Sequence, residues 1–277
     1  MTRIIILAFL WNGFNLSAQS WDLGLCLAGS NYSGDLTENS RVAISQTRLG
    51  IGSSIRYDLS NLIAIKVQYL FMQIEGADAK SKNEWQVKRN LQFRTAIHNV
   101  DLLGQINLSG ILFHEPRRWN PFLALGVSYF KFNPKANYNN QWVELKPLGT
   151  EGQGMPGYPE PYNLNSRALT FGFGNRFFLS SNISLTLEFL WRQTKTDYLD
   201  DASTNYVDYE ALKQNNGLLA AELGNKIKAI GGSQRANSSD NDWIQSCTLG
   251  ISYHFGGEFK GGSLKFNRKA VNCPKFK

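Results

Sequence analysis

Apolar and polar residues alternate with a period of two in eight stretches of this chain, each long enough to cross a bilayer as a tilted strand. In the first, WDLGLCLAGSNY, Trp21, Leu23, Leu25 and Leu27 share a face. In the second, QTRLGIGSSIRYDLS, Leu49, Ile51, Ile55 and Tyr57 oppose Arg48, Gly50, Gly52, Ser54, Arg56 and Asp58. The third, LIAIKVQYLFMQIEG, sets Ile63, Ile65, Val67, Tyr69 and Phe71 against Lys66 and Gln68. The fourth, AIHNVDLLGQINLSG, sets Val100, Leu102, Ile106 and Leu108 against Asn99, Asp101, Gln105 and Asn107. The fifth is PFLALGVSYFKF, with Leu123, Leu125, Val127 and Tyr129 together. The sixth, SRALTFGFGNRFFLSS, sets Leu169, Phe171, Phe173 and Phe177 against Gly172, Gly174 and Arg176. The seventh, NISLTLEFLWRQTKTDY, sets Ile183, Leu185, Leu187, Phe189 and Trp191 against Ser184, Thr186, Glu188 and Arg192. The eighth is WIQSCTLGISYHF, with Leu249, Ile251, Tyr253 and Phe255 together.

Period alone does not say which face is buried. A soluble sandwich hides its apolar faces, whereas a membrane barrel turns them to lipid and fills its lumen with polar side chains. Two features favour the barrel. The polar faces carry charges of both signs at Arg56, Lys66, Asp101, Arg176, Glu188 and Arg192, which suits a narrow lumen sealed by ion pairs. The aromatics Tyr57, Tyr69, Trp191, Tyr253 and Phe255 fall near strand ends, where interfacial girdles belong. The fold expected is all-β: an eight-stranded antiparallel transmembrane β-barrel.

Connection lengths alternate in the same sense. Tight turns, DLSNL and LSSNI, join strands two to three and six to seven, and ILFHEPRRWN is of moderate length. Residues 31–41, 76–91, 133–166 and 198–242 form long loops. Short turns on one side and long loops on the other is the outer-membrane arrangement, with long extracellular loops and both termini in the periplasm. The last loop contains VDYEALKQNNGLLAAELGNKI, which reads either as a short amphipathic helix over the external mouth or as an unstructured loop. In the last strand Thr248, Gly250, Tyr253 and Phe255 resemble the terminal signal read by barrel-assembly machinery.

The ends of the chain refine this picture. Arg3, the apolar run IIILAFLW and the small residue Ala18 read as a signal peptide over residues 1–18. The apolar run is about half the length that spans a bilayer, which argues against an anchor. No Cys lies near the cleavage site, which argues against a lipoprotein. Residues 19–257 then form the barrel and residues 258–277 a tail. Aromatic residues make up 13% of the chain and charged residues 18%, with a mean hydropathy of −0.31. The formal net charge of +7 is concentrated in the tail, where Lys260, Lys265, Arg268, Lys269, Lys275 and Lys277 face Glu258 alone. An exported chain with that distribution is not expected to bind nucleic acid. Three cysteines in an oxidising compartment leave at least one free or paired with another chain.

No catalytic, cofactor or metal set stands out. His98, His114 and His254 lack a second His or Cys at ligand spacing. GFG and GIG lie inside strands rather than at strand-to-helix turns, so they are not phosphate loops. His98 with Asn99, Asp101 and Ser109 makes a poor lipase-like set, because His98 and Asn99 point to opposite faces. Asp200, Asp201 and Asp208 in YLDDASTNYVD have oxygen ligands for Ca²⁺, but a solvated loop is the favoured reading. Cys26 is expected to face the lumen and Cys247 the lipid, too divergent to bond each other.

Four stretches carry a family resemblance: GSNYSGDL, RNLQFRT, FNPKANYNNQWVELKPLGTEGQG and TDYLDDASTNYVD. Together they resemble the PorG family, the small outer-membrane barrel of the Bacteroidetes type IX secretion system and a DUF6089-type barrel. The third stretch is the most specific, with Pro134, Trp142, Leu145, Pro147, Leu148, Gly149, Thr150, Glu151 and Gly152 in the family's order. The tail NCPKF also resembles the family's C-terminus. The resemblance implies a non-enzymatic structural role. Such a protein anchors the periplasmic ring, built from a lipoprotein and its partner, to the outer membrane in support of cargo export and, in some relatives, gliding motility. The tail would then be a periplasmic docking arm using Arg268, Lys269, Cys273, Pro274, Lys275 and Phe276. Its basic charge suits an acidic partner, and the Gly pairs at 256–257 and 261–262 allow reach. An intermolecular disulfide from Cys273 to the ring lipoprotein is one outcome; a free or internally paired thiol is the other. A porin-like barrel of general envelope function and a lipid-modifying enzyme are the competing classes. The first is disfavoured because eight strands enclose a space that side chains fill.

Overall fold

The structure, a computed structural model, describes residues 20–37, 44–112 and 118–255. Its wall consists of β1 (Ser20–Ser33), β2 (Arg48–Asp58), β3 (Ile63–Ala77), β4 (Gln92–Asn107), β5 (Trp119–Tyr138), β7 (Asn165–Phe178), β8 (Ile183–Thr194) and β9 (Trp243–Phe255). Each pairs antiparallel with its neighbour, and β1 pairs with β9 from Trp21↔Phe255 to Ser33↔Trp243. The sheet is therefore closed, with no free edge in the wall. The ninth strand, β6 (Gln141–Glu144), stands outside the closed wall and pairs only with the end of β5.

Which face is buried separates a membrane barrel from a soluble sandwich. Leu49 is 85% exposed and Leu25 68%, whereas Arg192 and Asp101 are 0% exposed. Apolar side chains point out all round and charges point in, the inversion that only a lipid surround stabilises. Among the described residues no helix is long and apolar enough to cross a membrane.

One end of the barrel carries short connections. In both tight turns a serine hydroxyl, Ser60 or Ser180, accepts from the backbone N–H groups two and three residues on. This is the local bonding that makes Ser a turn residue. β4 ends at Asn107, so Leu108, expected on the outer face of the fourth strand, instead begins a five-residue helix, α2 (Leu108–Leu112), in the connection to β5. Ser20 and Phe255 lie at this same turn end.

The other end carries the long loops, and these are folded. α1 (Glu84–Arg89) sits between β3 and β4, and α3 (Tyr209–Asn216) and α4 (Leu218–Gly224) between β8 and β9. Of the two readings of this segment the helical one holds: Asp208 caps α3 by accepting from Ala211 N–H, and Gly217 at φ 95° separates α3 from α4. Residues 133–166 are not all loop, because β5 runs on to Tyr138 and turns back into β6. The turn uses Asn139 and Asn140 at φ 50° and 65°, the left-handed pair that a two-residue hairpin requires.

A polar lumen is correct for only half the interior. Towards the loop end the inward side chains are apolar. Leu70, Met72, Ile74, Phe93, Ile97, Phe130 and Phe132 pack with Tyr32 and Ile244, and the loop residues Leu199, Ala202 and Ala236 close over them. In β3 the alternation set by Lys66 and Gln68 continues unbroken, so Leu70, Met72 and Ile74 point inward as parity requires, but the inward face changes there from polar to apolar.

Candidate functional site

Two features of the interior bear on function: a lumen filled by ion pairs and a buried polar cap. In the turn-end half, Lys66 Nζ donates to Glu188 Oε2 at 2.7 Å, and Gln105 Nε2 donates to Glu188 Oε1 at 3.1 Å. Arg56 donates to Gln105 at 2.9 Å, to Asp22 at 3.0 Å and to Asp58 at 2.8 Å. Arg176 lies 3.8 Å from Asp22, which also pairs with His254. Deeper in, Arg192 donates to both oxygens of Asp101 at 3.0 and 2.7 Å and to Ser246 Oγ at 2.8 Å. The six charges of the sequence pattern thus form one chain of contacts and one separate pair. Asp22 and His254 join the chain, and each could have been found as a polar position between two outward-facing residues. The enclosed space bounded by Asp22, Cys26, Arg56, Lys66, Gln105 and Arg176 measures about 20 Å³, room for roughly one water.

The cap is built from segments far apart in sequence. Arg89 donates to both oxygens of Asp78 at 2.7 Å and to the carbonyl of Asp35 at 2.9 Å. Glu151 accepts from Ser203 N–H at 2.9 Å, Thr204 N–H at 3.1 Å, Thr204 Oγ1 at 2.8 Å and Arg235 Nη1 at 2.6 Å. Thr150 Oγ1 donates to Asp201 at 2.5 Å and Tyr162 to its other oxygen at 2.6 Å. Tyr32 Oη lies 2.6 Å from Asp200 Oδ2 and 2.9 Å from Asp242 Oδ1.

That last geometry has a chemical consequence. A phenol has one proton and can donate to one carboxylate only, so the second contact requires a carboxyl proton donating to the Tyr32 oxygen. The surroundings supply the reason for retaining one. Burial and then the neighbouring Asp35 push Asp200 up to about 8, and burial and then Asp200 and Asp197 push Asp242 well above the usual carboxylate range. Asp197 is also raised, to about 9, by burial. The solvated-loop reading of YLDDASTNYVD is therefore corrected for Asp200 and Asp201, while Asp208 is exposed as that reading has it. Asp200 is 3% exposed and Asp201 0%, because Tyr32, Thr150 and Tyr162 fold over them. Among the described residues no group of three or more His, Cys, Asp and Glu has the geometry to hold a metal ion.

The remaining sequence candidates are placed as follows. Trp142 on β6 lies under the Arg94 guanidinium, 4.2 Å from its ring centre. Pro147 begins the last turn before Gly149, which takes φ 55° where a Cβ would meet the Gln153 carbonyl at 2.6 Å. Gly34, in GSNYSGDL, has no room for a side chain, since a Cβ would sit 2.0 Å from Tyr32 Oη. Cys26 and Cys247 are unpaired, the first beside Gln68 in the lumen and the second on the lipid face. His98 is exposed and bonds Tyr69 Oη at 2.8 Å on the outer surface, while Asn99 and Asp101 are buried inside, so no lipase-like set assembles. The signal peptide and the tail, with Arg268, Lys269, Cys273, Pro274, Lys275 and Phe276, lie outside the described residues, as does His114.

A closed wall with an apolar exterior, an ion-paired interior and folded loops over one mouth defines a transmembrane β-barrel of the outer-membrane type. The chain belongs to the DUF6089 family, a domain of unknown function whose profile matches residues 2–220. No curated protein matches it. Among solved structures it is similar to the outer membrane protein OprG from Pseudomonas aeruginosa, with 10% identity, a TM-score of 0.46, and 87% of this chain and 98% of that one covered. It is also similar to Ail, the attachment invasion locus protein of Yersinia pestis, in complex with sucrose octasulfate (9%, 0.42, 86% and 99%). Neisserial surface protein A gives 8%, 0.42, 85% and 97%.

Proposed function

We propose that this barrel is a structural, non-enzymatic component of the type IX secretion system, resident in the outer membrane. It would anchor the periplasmic ring lipoprotein and that lipoprotein's partner through its C-terminal tail. The loop end then faces outward and the turn end, with Phe255, faces the periplasm. The observation that carries this reading is the convergence of the four stretches that resemble the PorG family. Tyr32, Arg89, Thr150, Glu151, Asp200 and Asp201 come from all four, and all take part in the single buried cap. Motif residues bonded to one another in this way build a scaffold rather than a reactive centre. The filled lumen supports a role other than conduction, since an eight-stranded wall packed with side chains offers a solute no path.

The test is a non-reducing gel of outer-membrane extract from cells producing the wild type or Cys273→Ser. Cys26 and Cys247 sit in the barrel wall, which leaves Cys273 as the thiol a soluble partner can reach. A higher-mass band that collapses with reductant, is missing in the variant and contains the ring lipoprotein by mass spectrometry is the expected result. A monomer band in both samples, with no ring protein co-purifying after mild cross-linking, refutes the anchor role.

A further inference from the structure

Three outward cations stand side by side with no ion pair to a carboxylate among the described residues. Lys131 on β5, Arg167 on β7 and Lys195, one residue past β8, are all exposed and point outward. Lys195 N–H donates to the Arg167 carbonyl at 2.9 Å, continuing the Ala168↔Thr194 pairing, so these two residues stand directly opposite each other. Arg167 also pairs with Tyr129, which puts Lys131 on the diagonal. Side chains so placed start about 5 Å and about 7–8 Å apart, and like charges facing each other across strands are destabilising. On the neighbouring strands, Glu75 pairs with Arg48, Lys80 and Arg94, and Glu144 with Lys135, so neither neutralises the three cations. His98, opposite Lys131 in the β4–β5 register, adds no negative charge.

This triangle stands at the loop-end edge of the apolar belt, just above Tyr129, Leu169 and Trp191. Lower on the same strands the belt is indented. A groove of about 720 Å³ runs between Ile106, Leu123, Leu125, Phe171, Phe173 and Trp191, over Gly104. Gly104 faces outward, and a Cβ there would meet nothing closer than the Leu125 carbonyl oxygen at 3.6 Å. Leu125 is six residues below Lys131, roughly 20 Å along the strand. At a tilt of about 40° that is roughly 15 Å along the membrane normal, half the hydrocarbon thickness.

We propose that this face binds one phosphorylated lipid of the loop-end leaflet, with its phosphate on Lys131, Arg167 and Lys195 and an acyl chain lying in the groove over Gly104. The charge complementarity explains why three cations are crowded without counter-charges. The separation of triangle and groove matches the reach of a chain from headgroup to mid-bilayer. The inference is independent of the secretion role.

The test titrates full-length protein in dodecyl maltoside micelles with fluorescent diphosphoryl lipid A, with phosphatidylcholine as the zwitterionic comparator and pyrophosphate as a free-anion competitor. Saturable binding of lipid A is expected. The combined variant Lys131→Gln, Arg167→Gln, Lys195→Gln should bind about a hundredfold more weakly, and Arg167→Gln alone about fivefold. A charge-matched variant, Lys80→Gln, Lys88→Gln, Lys213→Gln, should stay within about threefold of wild type. Gly104→Leu, which fills the groove, should weaken lipid A severalfold and leave pyrophosphate competition unchanged. Heat-shifted gel mobility reports that each barrel is folded, and the single variant keeps the test readable if the triple one is not. Equal binding by wild type and the Arg167 variant, equal loss in both triple variants, or phosphatidylcholine binding as tightly as lipid A overturns the proposal. So does pyrophosphate competing at lipid A's own concentration.

Discussion

Replacing Glu151 with Gln removes one charge from the centre of the cap and leaves the barrel wall untouched. The carboxylate is 2% exposed and accepts from Ser203, Thr204 and Arg235. Glutamine has nearly the same shape but keeps only one acceptor oxygen, and its amide turns N–H groups towards donors. Arg235, 2% exposed, is then left without its carboxylate. Breaking a buried ion pair from one side costs about 3–5 kcal/mol. The cap joins the wall through its own contacts, so the cost is expected in local opening rather than in unfolding of the barrel. When an opened segment recloses faster than it is cut, cleavage follows the opening equilibrium. That loss corresponds to roughly two to three and a half decades in rate. The assay is limited trypsinolysis of the full-length protein in micelles, following cleavage after Lys213, Lys226 and Lys228, with heat-shifted mobility reporting the barrel. Cleavage within about threefold of wild type refutes the central role of Glu151. Concurrent loss of the folded barrel refutes the separation of cap from wall.

Two further outcomes follow from the buried charges. Asp200 and Asp242 are raised above the ordinary carboxylate value of 3.8, so the opened loop loses protons from about pH 4 upward while the closed loop keeps them until pH passes the raised values. The part of cap stability that these two carboxyls contribute is therefore fully present below about pH 4 and is lost as pH rises through the raised values, about 8 for Asp200. The slope is up to about 1.4 kcal/mol per pH unit for each retained proton. Asp200→Asn should flatten this slope in amide exchange of residues 196–208, and an unchanged slope would contradict a proton retained at Asp200. In the wall, Arg192→Met leaves Asp101 buried and unpaired and should cost about 3–5 kcal/mol in denaturant unfolding. Adding Asp101→Leu should recover most of that loss, and a single variant as stable as wild type would remove the pair from the account.

The wall was legible because a strand's two faces alternate with the most local period there is. Leu23 against Asp22, or Leu187 against Glu188, places each side chain once the strand is recognised, and the two serine turns mark where the chain reverses. The Asn139–Asn140 hairpin was also written in the sequence, but within a segment whose length suggested loop alone. The apolar half of the lumen was not legible. Parity with Lys66 and Gln68 puts Leu70, Met72 and Ile74 inward, but only closure of the sheet and the loops folded over it bring them against Phe93, Phe130, Phe132 and Leu199.

The cap marks the limit of the sequence more sharply. Tyr32 bonds residues 168 and 210 positions away, and no local period relates them. The aspartates of YLDDASTNYVD read as solvated because an isolated carboxyl is strongly hydrated; enclosure by Tyr32, Thr150 and Tyr162 removes the water and raises their proton affinity. Similarly, Lys131, Arg167 and Lys195 are unremarkable surface cations until strand register sets them side by side. The sequence by itself determined the strands, their inward charges and the alternation of turns and loops, because these depend on neighbours one to four residues away. Only the folded chain sets which carboxyls are enclosed around Tyr32, which half of the lumen is dry and which cations crowd together, because each of these depends on the solvent and charge that distant segments bring or exclude.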